Sequence, residues 1–307
     1  MKALIHIGIP KSGTSSIQAF LALNRGALAA QGMLYARFNP IHGSQFELPV
    51  TALEACGDTV GPELERRRLG FASRADQSAY VGRYRDFLDR RLQTATQSLF
   101  IASSEHIHAW LDTAERVAAL DAFLRQRFAE VQYLVYLRPQ DELIASSYSE
   151  AVRRGASYDF QTHLTKYNRL NHWARLKPWR AVVGRGRLHV RLTCRDALMG
   201  GTLLTDFCAV AGIDATGLRQ PRRVNASLSK GEIALRRVLN RHLPVLGGDG
   251  RLHPLYRLAL VGLRPLAALK PGKLRLSPME RAAILAEYQV GNEKLRKRFF
   301  ADRDALF

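Results

Sequence analysis

The stretch Ile5-His6-Ile7-Gly8-Ile9-Pro10-Lys11-Ser12-Gly13-Thr14-Ser15-Ser16-Ile17 admits few folds. The apolar run Ala3 to Ile9 reads as a buried strand. A Gly/Pro/Ser turn follows. From Ser15 to Leu28, Ile17, Phe20, Leu21 and Leu28 then recur at helical spacing, with Gly32 as a stop. Strand, turn and helix in this order bring successive backbone N–H groups and the positive end of a helix to one point, which suits an oxyanion. Lys11 adds a mobile cation there, and Thr14, Ser15 and Ser16 add hydroxyl donors.

The alternation continues. Ser98 to Ser103, Val131 to Leu137 and Leu188 to Thr193 read as further buried strands, and Met33 to Ala36 as a short one. Val81 to Leu92, Thr113 to Phe128, Asp141 to Arg154 (closed by Gly155) and Leu203 to Ala211 (closed by Gly212) read as helices. Residues 38–79 are dense in Gly, Pro and charge with poor periodicity, so loops with short helices, and binding elements among them, are expected there. Strands alternating with helices imply an α/β fold: a central parallel sheet, right-handed crossovers and helices on both faces. Ligands of such sheets bind beyond the carboxyl ends of the strands, where the Lys11 turn falls. After Arg219 the chain turns mostly helical and basic, with helices over Glu232 to Leu243 and Met279 to Phe300. The expected organisation is an α/β core over 1–218 and a helical basic extension over 219–307 completing the same domain.

Lys and Arg total 46 against 27 Asp and Glu, a net charge of +19. A field of this sign gathers anionic ligands: a doubly phosphorylated small molecule, an acidic glycan or an anionic membrane surface. A genome that favours arginine codons explains it as well. Specific nucleic-acid binding is not indicated, because no aromatic-interleaved basic motif, zinc finger or helix-turn-helix is visible. Cys56, Cys194 and Cys208 are too scattered for a disulfide framework or a zinc site; they read as buried free thiols of a reducing cytoplasm. No signal peptide is visible, and no segment reaches the roughly 18 unbroken apolar residues of a membrane span. A cytoplasmic location follows, extending to the inner membrane surface if Leu252 to Leu276 acts there. That segment is leucine-rich and studded with Arg257, Arg264, Lys270 and Lys273. It reads either as an interfacial element or as an amphipathic helical pair packed on the main domain.

A second motif runs from Tyr136-Leu137-Arg138-Pro139 to Ser146-Ser147-Tyr148. An arginine ends a buried strand, a proline opens a helix, and a serine follows two turns on. A guanidinium fork grips phosphate oxygens bidentately; pairing of Arg138 with Asp141 or Glu142 is the plainer alternative. The N-terminal loop lacks the Walker order, in which lysine directly precedes the hydroxyl residue that binds magnesium. Lysine first, then Ser-Gly-Thr-Ser, resembles the 5′-phosphosulfate loop of sulfotransferases, and Arg138 and Ser146 match the positions of that family's 3′-phosphate motif.

On these two motifs the chain resembles bacterial members of the sulfotransferase superfamily that use 3′-phosphoadenosine 5′-phosphosulfate (PAPS). The resemblance covers 1–37 and 98–155, and more weakly Leu188 to Asp214. It implies a P-loop-kinase-like fold, PAPS as donor, the 3′,5′-bisphosphate PAP as product, and no metal. It assigns donor binding to Lys11, Ser12, Gly13, Thr14, Ser15, Ser16, Arg138 and Ser146, with Lys11 on the oxygen bridging phosphorus and sulfur. It also calls for a general base on Ile101-Ala102-Ser103-Ser104-Glu105-His106-Ile107-His108: Glu105 first, His106 second, and His108 structural. Against both stands the reading in which Ser104 caps the next helix and Glu105 favours its dipole. One departure is clear. The late R-K-G…G-D-W-K-N stretch of cytosolic small-molecule members is not found; Arg222 to Gly231 is its nearest substitute, with Lys230-Gly231 as a remnant or Ser229 as an ordinary helix cap. The expected activity is sulfuryl transfer to a hydroxyl, with a polysaccharide or glycolipid as acceptor and a small phenol or alcohol as the other option. The competing readings are a P-loop kinase or nucleotide hydrolase, and a non-enzymatic basic module that binds polyanions or membranes.

Overall fold

The computed structural model describes residues 1–39, 43–166, 170–221, 227–247 and 252–307. Among them five strands pair in parallel: β1 (Lys2–His6), β2 (Met33–Leu34), β3 (Leu99–Ser103), β4 (Glu130–Leu137) and β5 (Leu188–Leu192), in the order β2-β3-β1-β4-β5. β1 sits at the centre, in register with β3 (Leu4 beside Ile101) and β4 (Leu4 beside Gln132). The sheet is covered on both faces, as apolar strands without polar alternation require. On one face Ile17, Phe20 and Leu21 of the helix Thr14–Leu23, with Phe207 of Leu203–Ala211, pack on Leu4, Ile101 and Tyr136. Trp179, fully buried on the helix His172–Val183, meets Tyr133 with ring centroids 5.3 Å apart. The chain leaves β1 toward β2 on one side and leaves β4 toward β5 on the other. The topological switch point, where open α/β sheets hold their ligands, therefore lies between β1 and β4.

Contacts group the chain into two compact units, Met1–Leu137 with Trp173–Val224, and Arg138–His172 with Asn225–Phe307. The first carries the sheet. In it, Asp206 is fully buried and accepts from the Tyr136 hydroxyl (2.7 Å), Arg191 Nε (3.1 Å) and the Met199 N–H (2.9 Å). Burial pushes this carboxyl up, but those donors outweigh it and hold the group below its ordinary value. The described part of the second unit is helical around Tyr148, Val152, Leu228 and Ile233.

Several expected elements differ in extent. The helix expected over Ser15 to Leu28 is two, Thr14–Leu23 and Arg25–Ala30. Asn24 divides them: its amide donates to the carbonyls of Phe20 and Arg219, and its Oδ1 accepts from the Arg219 N–H. Met279 to Phe300 is likewise Pro278–Glu287 and Gln289–Phe299, separated where the Tyr288 N–H bonds three residues back to Leu285. Residues 38–79 hold helices Glu47–Ala55 and Glu63–Leu69 and the start of Arg74–Gln93. A Ser73/Asp76 capping box starts that last helix seven residues before Val81. All three cysteines are free, but only Cys208 is buried; Cys56 and Cys194 are half-buried. Ser229 caps Lys230–His242 through a capping box with Glu232. Gly231 has a packing reason of its own, since a Cβ there would fall 1.9 Å from the Ala267 carbonyl oxygen. Residues 222–226 of the Arg222 to Gly231 stretch lie outside the described residues.

Candidate functional site

The N-terminal loop stands on a buried histidine. His6 is 1% exposed, its Nδ1 lies 2.8 Å from Ser103 Oγ on β3, and burial pushes its pKa down to about 3. It is a neutral structural post. The next residue bonds to the flanking elements: the Ile7 N–H to the Leu134 carbonyl, and the Ile7 carbonyl to the His108 N–H. The loop then takes a left-handed backbone at Gly8 (φ 49°), Lys11 (φ 70°) and Gly13 (φ 88°). Lysine pays about 1–2 kcal/mol for that conformation, and such strain collects at functional positions. The Ser12 N–H bonds to Ile9 O, and Gly13 O accepts from Ser16 and Ile17, so the helix opens at Thr14 with its first N–H groups directed back along the loop. Thr14 Oγ1 donates to Ile9 O at 3.4 Å and closes the turn, whereas Ser15 is exposed and Ser16 half-buried. The Ser12 hydroxyl, on a residue 3% exposed, has no hydrogen-bond partner among the described residues. A buried orphan hydroxyl costs on the order of 1–3 kcal/mol, which an anionic ligand's oxygen would relieve.

Glu105 is tied to this loop. Gln18, buried on the helix that follows the loop, donates to Glu105 Oε2 (2.8 Å) and to the Ser103 carbonyl (3.3 Å). Gly8 lies against the Glu105 backbone: a Cβ there would sit 3.0 Å from Glu105 Cα and 3.1 Å from its nitrogen. Ser104 does cap the helix Glu105–Trp110, through the His106 N–H. The cap uses the Ser104 oxygen and leaves the Glu105 side chain to Gln18. His106 has other side-chain partners, though its Ser44 also lies 2.9 Å from Ser104 Oγ. Its Nδ1 lies 2.8 Å from Ser44 Oγ, and its ring sits 4.0 Å from Phe46 and 4.8 Å from Trp110. His108 is buried, with its N–H on the Ile7 carbonyl.

Arg138 and Ser146 belong to the second unit. Arg138 directly follows β4, and Ser146, 8% exposed, lies on the helix Gln140–Arg153. Arg138 Nε donates to Glu142 Oε2 at 3.0 Å, the pairing left open by the sequence; Asp141 instead accepts from Arg281 Nε at 2.7 Å. An i,i+4 pair this exposed is worth only a few tenths of a kcal/mol and yields readily to a phosphate. The turn is braced by His172, whose Nε2 lies 2.8 Å from the Arg138 carbonyl; burial pushes this histidine down to about 4, which keeps it neutral.

The loop residues Lys11 to Ser16 and Glu105 are therefore joined in one unit through Gln18 and Gly8, and Arg138 and Ser146 share one turn and helix in the other. Gln18 and Ser44 escaped the sequence reading. A signal existed for Gln18, a polar residue beside Ile17 on the buried face of an otherwise apolar helix. Ser44 follows a glycine in an irregular segment that offered none. Among the described residues, no three His, Cys, Asp or Glu side chains gather in a group that could hold a metal ion.

No protein-family model matches the chain, and no curated protein does. A solved structure does. The crystal structure of a sulfotransferase from Alicyclobacillus acidocaldarius aligns over 98% of this chain and 96% of its own, with a TM-score of 0.50 and 15% sequence identity. At that identity the likeness is one of fold: this chain has the parallel-sheet α/β architecture of that sulfotransferase.

Proposed function

We propose that the protein is a sulfotransferase that takes its sulfuryl group from PAPS and places it on a hydroxyl, the acceptor being a carbohydrate. The observation that carries this reading is the loop. A strained lysine, a buried hydroxyl without a partner among the described residues and a helix N-terminus meet at the switch point of a parallel sheet, which supports an oxyanion ligand there, and the loop has no Walker lysine-hydroxyl pair. PAPS supplies an activated sulfuryl group and departs as PAP.

The loop N–H groups and Ser12 bind the 5′-phosphosulfate oxygens, with Ser15 and Ser16 at its rim. Lys11 stabilises the charge that grows on the departing phosphate; positioning and electrostatics do most of the work in such transfers. Arg138 gives up Glu142 and, with Ser146, takes the 3′-phosphate. Glu105 accepts the proton of the attacking hydroxyl. The Gln18 amide holds Oε2, which leaves Oε1 to receive that proton. His106, fixed by Ser44 and two aromatic rings, orients the wall beside it.

Incubation with sulfur-labelled PAPS and a panel of oligosaccharides, phenols and alcohols tests the reading. Label should appear on a carbohydrate. Release of phosphate from ATP, without transfer from PAPS to any member of the panel, would favour the kinase or hydrolase alternative.

A further inference from the structure

The helices Pro254–Gly262 and Arg264–Ala268 are apolar on two sides. The inner side is anchored. Tyr256 is fully buried and its hydroxyl donates to Asn240 Oδ1 at 2.6 Å; the Asn240 amide in turn donates to the Val152 and Ala156 carbonyls at 2.8 Å each. Ala267, 5% exposed, abuts Gly231. The outer side is bare. Leu255, Leu258 and Val261 follow one another at a spacing of three, away from Tyr256 and Leu260. They are 57%, 69% and 67% exposed, and Leu266 and Leu269 are 57% and 75% exposed. The fold itself thus holds these side chains in water.

The segment's own charges are all positive. Arg257, Arg264, Lys270, Lys273 and Arg275 are exposed, and residues 252–276 contain no Asp or Glu. At 1.5 Å per residue the longer helix runs about 14 Å, far short of a hydrocarbon core of about 30 Å. No described helix is long and apolar enough to cross a membrane. We propose that this helix pair docks on an anionic lipid bilayer as a monotopic anchor. The leucines enter the boundary between headgroups and acyl chains, and the cations stay level with the lipid phosphates. A protein partner would need a pocket for each leucine and a carboxylate for each cation; the bilayer supplies both without fixed geometry. The proposal does not depend on the reading of the Lys11 loop.

Sedimentation of the full chain with vesicles tests it. The wild type should sediment with phosphatidylcholine vesicles containing phosphatidylglycerol and stay in the supernatant with phosphatidylcholine alone. Leu260 is half-buried on the inner side, so the informative variant is Leu255→Ser/Leu258→Ser/Val261→Ser. It should partition on the order of 100-fold more weakly, with an unchanged thermal unfolding temperature. Should that variant unfold, Arg257→Glu/Lys270→Glu decides, with an expected loss of about 10-fold or more. Failure of the wild type to bind anionic vesicles, or full binding by the charge-reversed variant, would overturn the proposal. So would a triple variant whose only change is the loss of a dimer.

Discussion

Replacing Gly8 by alanine puts the loop and the Glu105 turn in direct competition for space. Gly8 has φ 49°, where an L residue is strained, and its new Cβ would meet Thr14 Oγ1 at 2.9 Å, Glu105 Cα at 3.0 Å and Glu105 N at 3.1 Å. Two of those atoms are backbone and cannot rotate away. The left-handed conformation costs about 1–2 kcal/mol, and overpacking against a fixed wall adds about 1–3 kcal/mol. Gly70 provides the control. It caps the helix Glu63–Leu69 at φ 75° with nothing within 4 Å, so its alanine variant carries the backbone strain alone. Urea unfolding should therefore show Gly8→Ala less stable than Gly70→Ala by about 1–3 kcal/mol. The displacement also separates Lys11 from Glu105, and a shift of that kind costs on the order of 10²-fold in turnover, whereas Gly70→Ala should turn over normally. Equal stabilities, or full sulfate transfer by Gly8→Ala, would refute the claim that loop and glutamate form one site.

Lys11→Ala should lower sulfate transfer by on the order of 10²-fold or more in a labelled-PAPS assay with little change in fold by circular dichroism; near-normal transfer would remove the lysine from the chemistry. Arg138→Ala should weaken PAP by about 1.5–3 kcal/mol in calorimetry while leaving adenosine 5′-phosphosulfate unaffected; equal losses for both nucleotides would contradict a 3′-phosphate role. Glu105→Gln should lower the single-turnover rate steeply at unchanged PAP affinity; survival of activity there, with loss in His106→Ala, would make His106 the base. Glu47 gives a pH prediction. Burial pushes its pKa from 4.5 up to about 7, because the folded protein holds the proton more tightly than the unfolded chain does. Its contribution is full below about pH 4.5 and is lost as pH rises to about 7. The stability gap between wild type and Glu47→Gln should therefore shift toward the wild type by about 1.4 kcal/mol per unit as pH falls across that window; a gap independent of pH would reject the assignment.

The legible parts of this fold were those governed by local pattern. Apolar runs located the strands, and Gly155 and Gly212 marked where Gln140–Arg153 and Leu203–Ala211 end. The backbone course at the Lys11 loop and the Arg138 turn was legible because strand, turn and helix follow one another there in consecutive residues. What escaped depends on partners distant in sequence. Asn24 breaks a helix because it can reach the Arg219 backbone. Gln18 is buried because Ser103 and Glu105 await its amide. His172–Val183 holds Pro178 in its interior, which hides it from a periodicity reading. Glu47 looks like a surface acid in a polar stretch, yet it is 2% exposed with the Asn39 N–H on its Oε1.

Calorimetric titration of the wild type with PAP, ATP and GTP under the same magnesium-free conditions tests the central claim most directly. The account predicts that PAP binds and raises the unfolding free energy by about 2.7 kcal/mol at a hundredfold excess over its Kd, while ATP and GTP bind far more weakly. Tight ATP or GTP binding with no response to PAP would contradict it.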